Sequence, residues 1–205
     1  MNLLNYKQKL SPIQEEKKKL RSQFLKLLSS LSEEKKIISS QKCNLFLIDY
    51  ITKKYADKLI LSFNSLGNEL NIMETNRFLA NGNQLVLPRV NKTTQELDCY
   101  LVPRLTLEYV ELSDKFGILE PIPETCELID LSRISLIILP GLAFDIIPDE
   151  NNKYNRLGRG KGYYDKLLAK LINIEKIGIC FEIQRSNEPI PSEDHDQKID
   201  LLYSF

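Results

Sequence analysis

Apolar residues recur at Leu20, Phe24, Leu27, Leu28 and Leu31, the spacing of a helix that buries one face. Ser11-Pro12 in front of them offers an N-cap and a first-turn proline, with Glu15 and Glu16 near the positive end of the helix dipole. Ser32-Glu33-Glu34 restarts a helix that runs through residues 43–51. Residues 58–64 (KLILSFN) read as a short strand, Gly67-Asn68 as a turn and residues 72–80 as a short helix. Residues 84–87 read as a strand ended by Pro88, and residues 97–102 and 105–111 as two β-like runs. Residues 117–123 form a proline-punctuated loop. Residues 135–139 (SLIIL) are apolar almost throughout, as a strand covered on both faces should be. A polar loop at 145–155, a helix at 161–171 and a last buried strand at 176–181 complete the pattern. The tail is polar until Ile199-Asp-Leu-Leu-Tyr.

Strands alternating with helices predict an α/β fold with a largely parallel sheet, over residues 1–205 as one domain. In such sheets ligands bind outside the carboxyl ends of the strands, which draws attention to the loop after Leu139. No internal repeat or low-complexity tract is visible.

Composition narrows the field. The 28 basic and 28 acidic residues cancel. No global field gathers nucleic acid, so anion binding must be local. No window has the run of about 18 apolar residues that a membrane span needs. The start, Met1-Asn-Leu-Leu-Asn-Tyr-Lys, lacks the apolar core and small-residue cleavage site of a signal peptide. Cys43, Cys99, Cys126 and Cys180 are far apart and form no Cys-x-x-Cys pair, which argues for reduced, mostly buried thiols in a cytoplasmic protein. With one histidine, a multi-histidine metal site is excluded.

The segment richest in chemistry is Asn155-Arg-Leu-Gly-Arg-Gly-Lys-Gly-Tyr-Tyr-Asp165. Glycines at 158, 160 and 162 let successive amides turn inward as an anion-binding nest. Arg156, Arg159 and Lys161 add cations, a predicted helix start follows, and Asp165 adds a carboxylate. Phosphate uses all of these at once, and magnesium bound through one or two carboxylates completes such a site. The Gly-Lys-Ser/Thr ending of a Walker loop is absent, and the glycine spacing differs from the dinucleotide fingerprint. A flexible basic turn is the bland alternative.

Leu139-Pro-Gly-Leu-Ala-Phe-Asp145, followed by Arg156-Leu-Gly-Arg-Gly-Lys-Gly-Tyr-Tyr-Asp165, closely resembles the signature of the 5-formyltetrahydrofolate cyclo-ligases. Further matches come in the family's order: Lys17-Lys-Lys-Leu-Arg21, Ser32-Glu-Glu-Lys, Phe63-Asn-Ser-Leu-Gly-Asn-Glu69, Leu87-Pro88, Glu120-Pro121 and His195-Asp196-Gln-Lys-Ile-Asp200. The loop 146–154 is longer than the family's, and Asn155 stands where glycine is frequent.

The resemblance implies a Rossmann-like three-layer fold. It also implies ATP-driven conversion of 5-formyltetrahydrofolate into 5,10-methenyltetrahydrofolate, ADP and phosphate, with magnesium. By the same resemblance, Arg156, Gly158, Arg159, Gly160, Lys161, Gly162, Tyr163 and Tyr164 line the ATP phosphates, helped by Lys17 and Arg21. Arg159, Gly160, Lys161, Gly162 and Tyr163 also face the folate, together with Asn64 and Glu69. Arg159, Lys161 and Tyr163 carry the catalytic roles, and Asp165 and Asp196 the metal. His195 and Asp145 receive no role. The partners implied are the two small-molecule substrates, with no nucleic acid and no membrane, in a monomer or weak homodimer. Two other readings stand beside this one: a related ATP-dependent kinase or ligase for another substrate, and a nucleotide-binding regulatory module without catalysis.

Overall fold

The structure is a computed structural model that describes residues 10–113 and 117–205. The reading of the first seven residues as no signal peptide lies outside the described residues.

Two long helices open the chain, α1 (Pro12–Ser29) and α2 (Glu33–Lys54). Ser11 caps α1 in a capping box: its hydroxyl accepts from the Gln14 amide, and the Gln14 side chain accepts from the Ser11 amide. Ser32 caps α2 in the simpler way, accepting from the Lys35 amide. Then follow β1 (Leu59–Leu61), α3 (Met73–Asn81), β2 (Leu85–Val90), β3 (Leu97–Leu101), β4 (Val110–Leu112), β5 (Leu119–Pro121) and β6 (Glu127–Leu128). The second half holds β7 (Ile134–Leu139), β8 (Ala143–Asp145), β9 (Arg156–Leu157), α4 (Tyr163–Leu168), β10 (Glu175–Cys180), β11 (Arg185–Ser186) and β12 (Leu201–Ser204).

Seven strands form the central sheet in the order β12-β10-β7-β1-β2-β3-β6. The pairs from β12 to β2 are parallel, and β3 and β6 add on antiparallel. Both faces are covered, and β7 shows how. Leu136 and Ile138 pack into the core made with Leu28 of α1, Leu47 of α2 and Leu79 of α3. Ile137 and Leu139 enter a second core with Phe144, Leu167 and Leu168. This two-residue alternation puts three helices on one face and α4 with the loops around it on the other. The result is the expected α/β three-layer arrangement. All four cysteines are free and buried.

Several boundaries differ from the sequence reading. Strand β2 does not stop at Pro88 but continues to Val90. Its parallel neighbour β1 pairs only as far as Val86, so nothing on that side calls for the missing proline N–H. The run 105–111 is strand only from Val110; before it, a turn closes with the Tyr109 and Val110 amides on the Thr106 carbonyl. The loop at 117–123 contains β5, which pairs with β4. The helix expected over 161–171 is the shorter α4: it starts only at Tyr163, because Gly162 before it sits at φ +66°, and it ends at Leu168. The last strand is β12 rather than β10, and it pairs in parallel with β10.

Candidate active site

The carboxyl end of β7 leads through Pro140-Gly141 into β8, which pairs with β9 through Phe144 and Arg156. The glycine-rich segment leaves β9 directly, so the sheet delivers it to the side where parallel strands end. A cavity of about 820 Å³ opens there. Every site residue read from the sequence lines it: Lys17, Arg21, Asn64, Glu69, the residues Arg156 and Gly158 to Asp165, and Asp196.

The glycine segment forms one wall. Arg21, one helical turn beyond Lys17 on α1, donates through Nε to the Gly158 carbonyl at 2.8 Å. Its guanidinium lies so close to Gly160 that a Cβ there would stand 3.2 Å from Cζ. Gly160 is therefore required twice, by its positive φ and by this approach. Arg156 is buried. Its Nη2 donates to Asp165 Oδ1 at 3.0 Å and its Nη1 to the Pro140 carbonyl at 3.4 Å. Its guanidinium lies 5.6 Å from the Tyr164 ring centre. Burial pushes the Tyr164 phenol well up, so this ring is an uncharged wall. Lys161 is exposed and forms no ion pair among the described residues.

Glu69 faces this wall from the loop after β1. Its side chain is only 8% exposed, and it accepts from the Leu66 amide through Oε2. Burial raises its carboxyl above the ordinary value, and the neighbouring Arg159 acts against that rise. Asn64 is held at both ends: Nδ2 donates to the Leu119 carbonyl, and Oδ1 accepts from Asn76. Phe63, Pro88, Val90, Leu97 and Ile118 make the lining beside these two groups apolar. A flat, donor-edged ring suits that combination of apolar walls and a few placed polar groups.

The third wall joins the first helix to the last loop. The buried Lys17 ammonium donates to Glu193 at 3.0 Å and also to Asp196. Burial would raise the Asp196 carboxyl, but Lys17 and the Glu193 amide outweigh it and hold it below its ordinary value. Asp165 stands close by, since its Oδ1 also accepts from the amide of Gln197. Glu193, His195 and Asp196 bring ligand-capable atoms within 4.8 Å of one another, and Asp165 is not part of that group. Sequence reading gave Glu193 no place here and left His195 without a role. A polar tail offers no local signal for Glu193, because its partners Gln14 and Lys17 lie on α1, and His195 stands only beside Glu193 and Asp196 of the same loop.

Asp165 and Asp196 each spend one oxygen, Oδ1 and Oδ2 respectively, on the protein's own donors. The other oxygen of each accepts no hydrogen bond among the described residues. Two such oxygens beside a phosphate-binding wall fit a magnesium ion, which takes one or two carboxylates and fills its shell with phosphate oxygens and water.

A family model matches residues 13–203, that of the 5-formyltetrahydrofolate cyclo-ligase family. The chain belongs to this family. A probable 5-formyltetrahydrofolate cyclo-ligase of Schizosaccharomyces pombe is 40% identical over 101 residues, a match spanning 43% of this chain and about half (47%) of the yeast protein. The 5-formyltetrahydrofolate cyclo-ligase of Mycoplasma pneumoniae is 27% identical over 191 residues, covering 91% of this chain and 97% of that one. The solved 5,10-methenyltetrahydrofolate synthetase of Aquifex aeolicus superposes with a TM-score of 0.70 at 28% identity, covering 91% and 88% of the two chains. The cyclo-ligase fold therefore extends over nearly the whole described chain. Among the described residues no helix is long and apolar enough to cross a membrane.

Proposed function

We propose that the protein uses ATP to close the methenyl ring of 5-formyltetrahydrofolate, releasing 5,10-methenyltetrahydrofolate, ADP and phosphate. The observation that carries this reading is the pairing of two unlike walls in one cavity. One is a glycine nest with Arg21, Arg156, Arg159 and Lys161; the other is an apolar slot edged by Glu69 and Asn64. The first suits a polyphosphate and the second a pteridine, and both open into the same cavity.

A formamide is a poor electrophile because its nitrogen donates into the carbonyl. Transfer of the γ-phosphoryl group to the formyl oxygen converts that oxygen into a leaving group. The neighbouring folate nitrogen N10 then attacks the carbon, and phosphate departs. The main work of the protein is positioning and charge neutralisation. The nest amides, Arg156 and Lys161 hold the phosphates, Arg21 fixes the nest through Gly158, and Lys17 adds charge from α1. Arg159 and Tyr163 lie between the two walls, where the phosphoryl group crosses. Glu69 accepts from the donor edge of the pteridine, and Asn64 keeps that loop in place. Asp165 and Asp196 would hold magnesium, which would supply positive charge against the phosphate oxygens. Residues 13–203 act as one catalytic domain, in the cytoplasm, on small-molecule substrates alone.

The decisive assay mixes purified protein, ATP, magnesium and 5-formyltetrahydrofolate and follows methenyl product by absorbance. Product formation that needs all components supports the reading. ATP hydrolysis or transfer with another acceptor only would favour a related kinase, and ATP binding without any turnover would favour a regulatory module.

A further inference from the structure

Ring closure has a proton to lose. When N10 bonds to the formyl carbon, its lone pair makes the new C–N bond and its own N–H proton must leave. The departing phosphate takes the C–O electron pair. Accepting that proton calls for a base on the folate side of the cavity, away from the phosphates.

Five carboxylates line the cavity: Glu69, Glu120, Asp165, Glu193 and Asp196. Four of them are committed to a cation. Glu69 is bonded to Arg159 at 2.9 Å and Asp165 to Arg156 at 3.0 Å, and Glu193 and Asp196 share Lys17. A cation engages the carboxylate's lone pairs and stabilises its charged form; Glu69, although burial raises it, spends Oε1 on Arg159 and Oε2 on the Leu66 amide. Of these five, Glu120 alone has no ion pair among the described residues. The nearest arginine, Arg89, is taken by Glu111 at 2.7 Å and by the Pro121 carbonyl at 2.7 Å.

The fold also puts Glu120 on the correct side. It lies on β5, and the preceding residue, Leu119, accepts the Asn64 side-chain amide through its carbonyl. Pro88 and Val90 of β2 and Ile118 line the same part of the cavity. His195, by contrast, belongs to the Lys17 wall, beside Glu193 and Asp196.

We infer that Glu120 is a catalytic residue, the general base that takes the N10 proton as the methenyl ring closes. This rests on the cyclo-ligase reading above. The bonds balance: N10–C forms, C–O to phosphate breaks, and the proton passes from N10 to the Glu120 carboxylate and then to solvent. The surroundings favour the role. Burial raises the Glu120 carboxyl, and Glu111 across the β4–β5 pair raises it further. Arg89 from β2, Lys92 from the turn after it and the Ser113 hydroxyl act in the opposite direction without cancelling that rise. A more basic carboxylate in a partly apolar wall is better matched to proton abstraction near neutral pH.

The test is a single-turnover experiment on Glu120→Gln, following ADP and methenyl product separately. Phosphoryl transfer precedes proton loss, so ADP should form at close to the wild-type rate. Methenyl formation should slow by about 100-fold or more. The acidic limb of the wild-type pH profile for ring closure should vanish in the variant. If Glu120→Gln does not fold, Glu120→Asp carries the test. Its carboxylate is drawn back by one methylene, and closure should slow about tenfold or more with ADP formation unchanged. Methenyl formation within threefold of wild type in the tested variant overturns the assignment, as does an equal loss of both products. Wild-type protein that forms no methenyl product at all would instead overturn the cyclo-ligase reading itself.

Discussion

Arg159 places Nε and Nη2 at 3.1 and 2.9 Å from the same Glu69 oxygen, Oε1. The glycine-rich segment is thus tied to the loop after β1, with Asn68 Oδ1 a further acceptor at 2.6 Å.

Removing Arg159 should therefore have a cost that removing Lys161 does not. Arg159→Ala leaves a buried carboxylate without its cation and should lower stability by about 1–3 kcal/mol. Lys161→Ala removes an exposed, unpaired charge and should stay within about 0.5 kcal/mol of wild type. Both should lose turnover by about 100-fold or more, because preorganised cations stabilise the transferring group. Urea unfolding beside steady-state kinetics checks the contrast.

Gly160→Ala should lower stability by about 1–3 kcal/mol, because alanine at φ +93° is strained and its Cβ meets Arg21. Turnover should fall with it, since Arg21 is displaced from Gly158. Gly67→Ala is the control: its φ is ordinary and nothing lies within 4 Å of the added carbon. That change should be neutral or stabilise by about 0.4–1 kcal/mol through the unfolded state. Thermal unfolding of the two variants decides the point.

Lys17 makes stability depend on pH in a definite direction. It holds Asp196 and Glu193 below their ordinary values of 3.8 and 4.5. Groups with depressed folded values contribute stability that is fully present above the unfolded values and lost as pH falls through the folded ones. Wild-type melting temperature should thus drop as pH falls below about 4.5. In Lys17→Met, where the ammonium no longer lowers either carboxyl, that dependence should weaken. Melting curves from pH 6 to about 3 measure it.

Asp165→Asn and Asp196→Asn should both abolish turnover at ordinary magnesium, and the double variant should cost little more, because groups that act as one unit are not additive. They should differ in stability. Asp165 compensates the Arg156 guanidinium, whose side chain is 3% exposed, so its loss should cost about 3 kcal/mol. Asp196 has Lys17 as partner, and Lys17 keeps Glu193 when Asp196 is changed. Magnesium titrations of product formation and calorimetric unfolding of the three variants test both statements. Full activity of Asp165→Asn would remove it from the metal site.

The glycine-rich wall of the cavity was legible because its pattern is local. Alternating glycines and three cations lie within one short segment, and their geometry follows from backbone preference. The central strand at Ile134–Leu139 was legible for a similar reason, since a strand covered on both faces is apolar at almost every step, Ser135 being the one exception. What sequence alone left dark depends on distant partners. Glu193 matters because Gln14 and Lys17 reach it from α1, and a glutamate in a polar tail carries no trace of that. Glu120 matters because Arg89 is taken elsewhere. Strand β12 escaped notice because its edge position leaves all four residues partly exposed, so the tail shows only a short apolar run. The helix at 161–171 was begun too early because the periodicity ignores that Gly162 sits at positive φ just before it.

The Lys17 bridge also sets when activity can appear during synthesis. Lys17 is among the first described residues to leave the ribosome, while Glu193 and Asp196 leave near the end, 176 and 179 positions later. Helices α1 and α2 can form early, but β1, β7 and β10 must assemble before the last loop can close over them. A nascent chain released short of residue 193 therefore carries the entire glycine-rich segment and Glu69, yet leaves Lys17 without Glu193 and Asp196, its carboxylate partners. Ribosome-held chains of increasing length should gain ATP-dependent turnover in one late step rather than gradually.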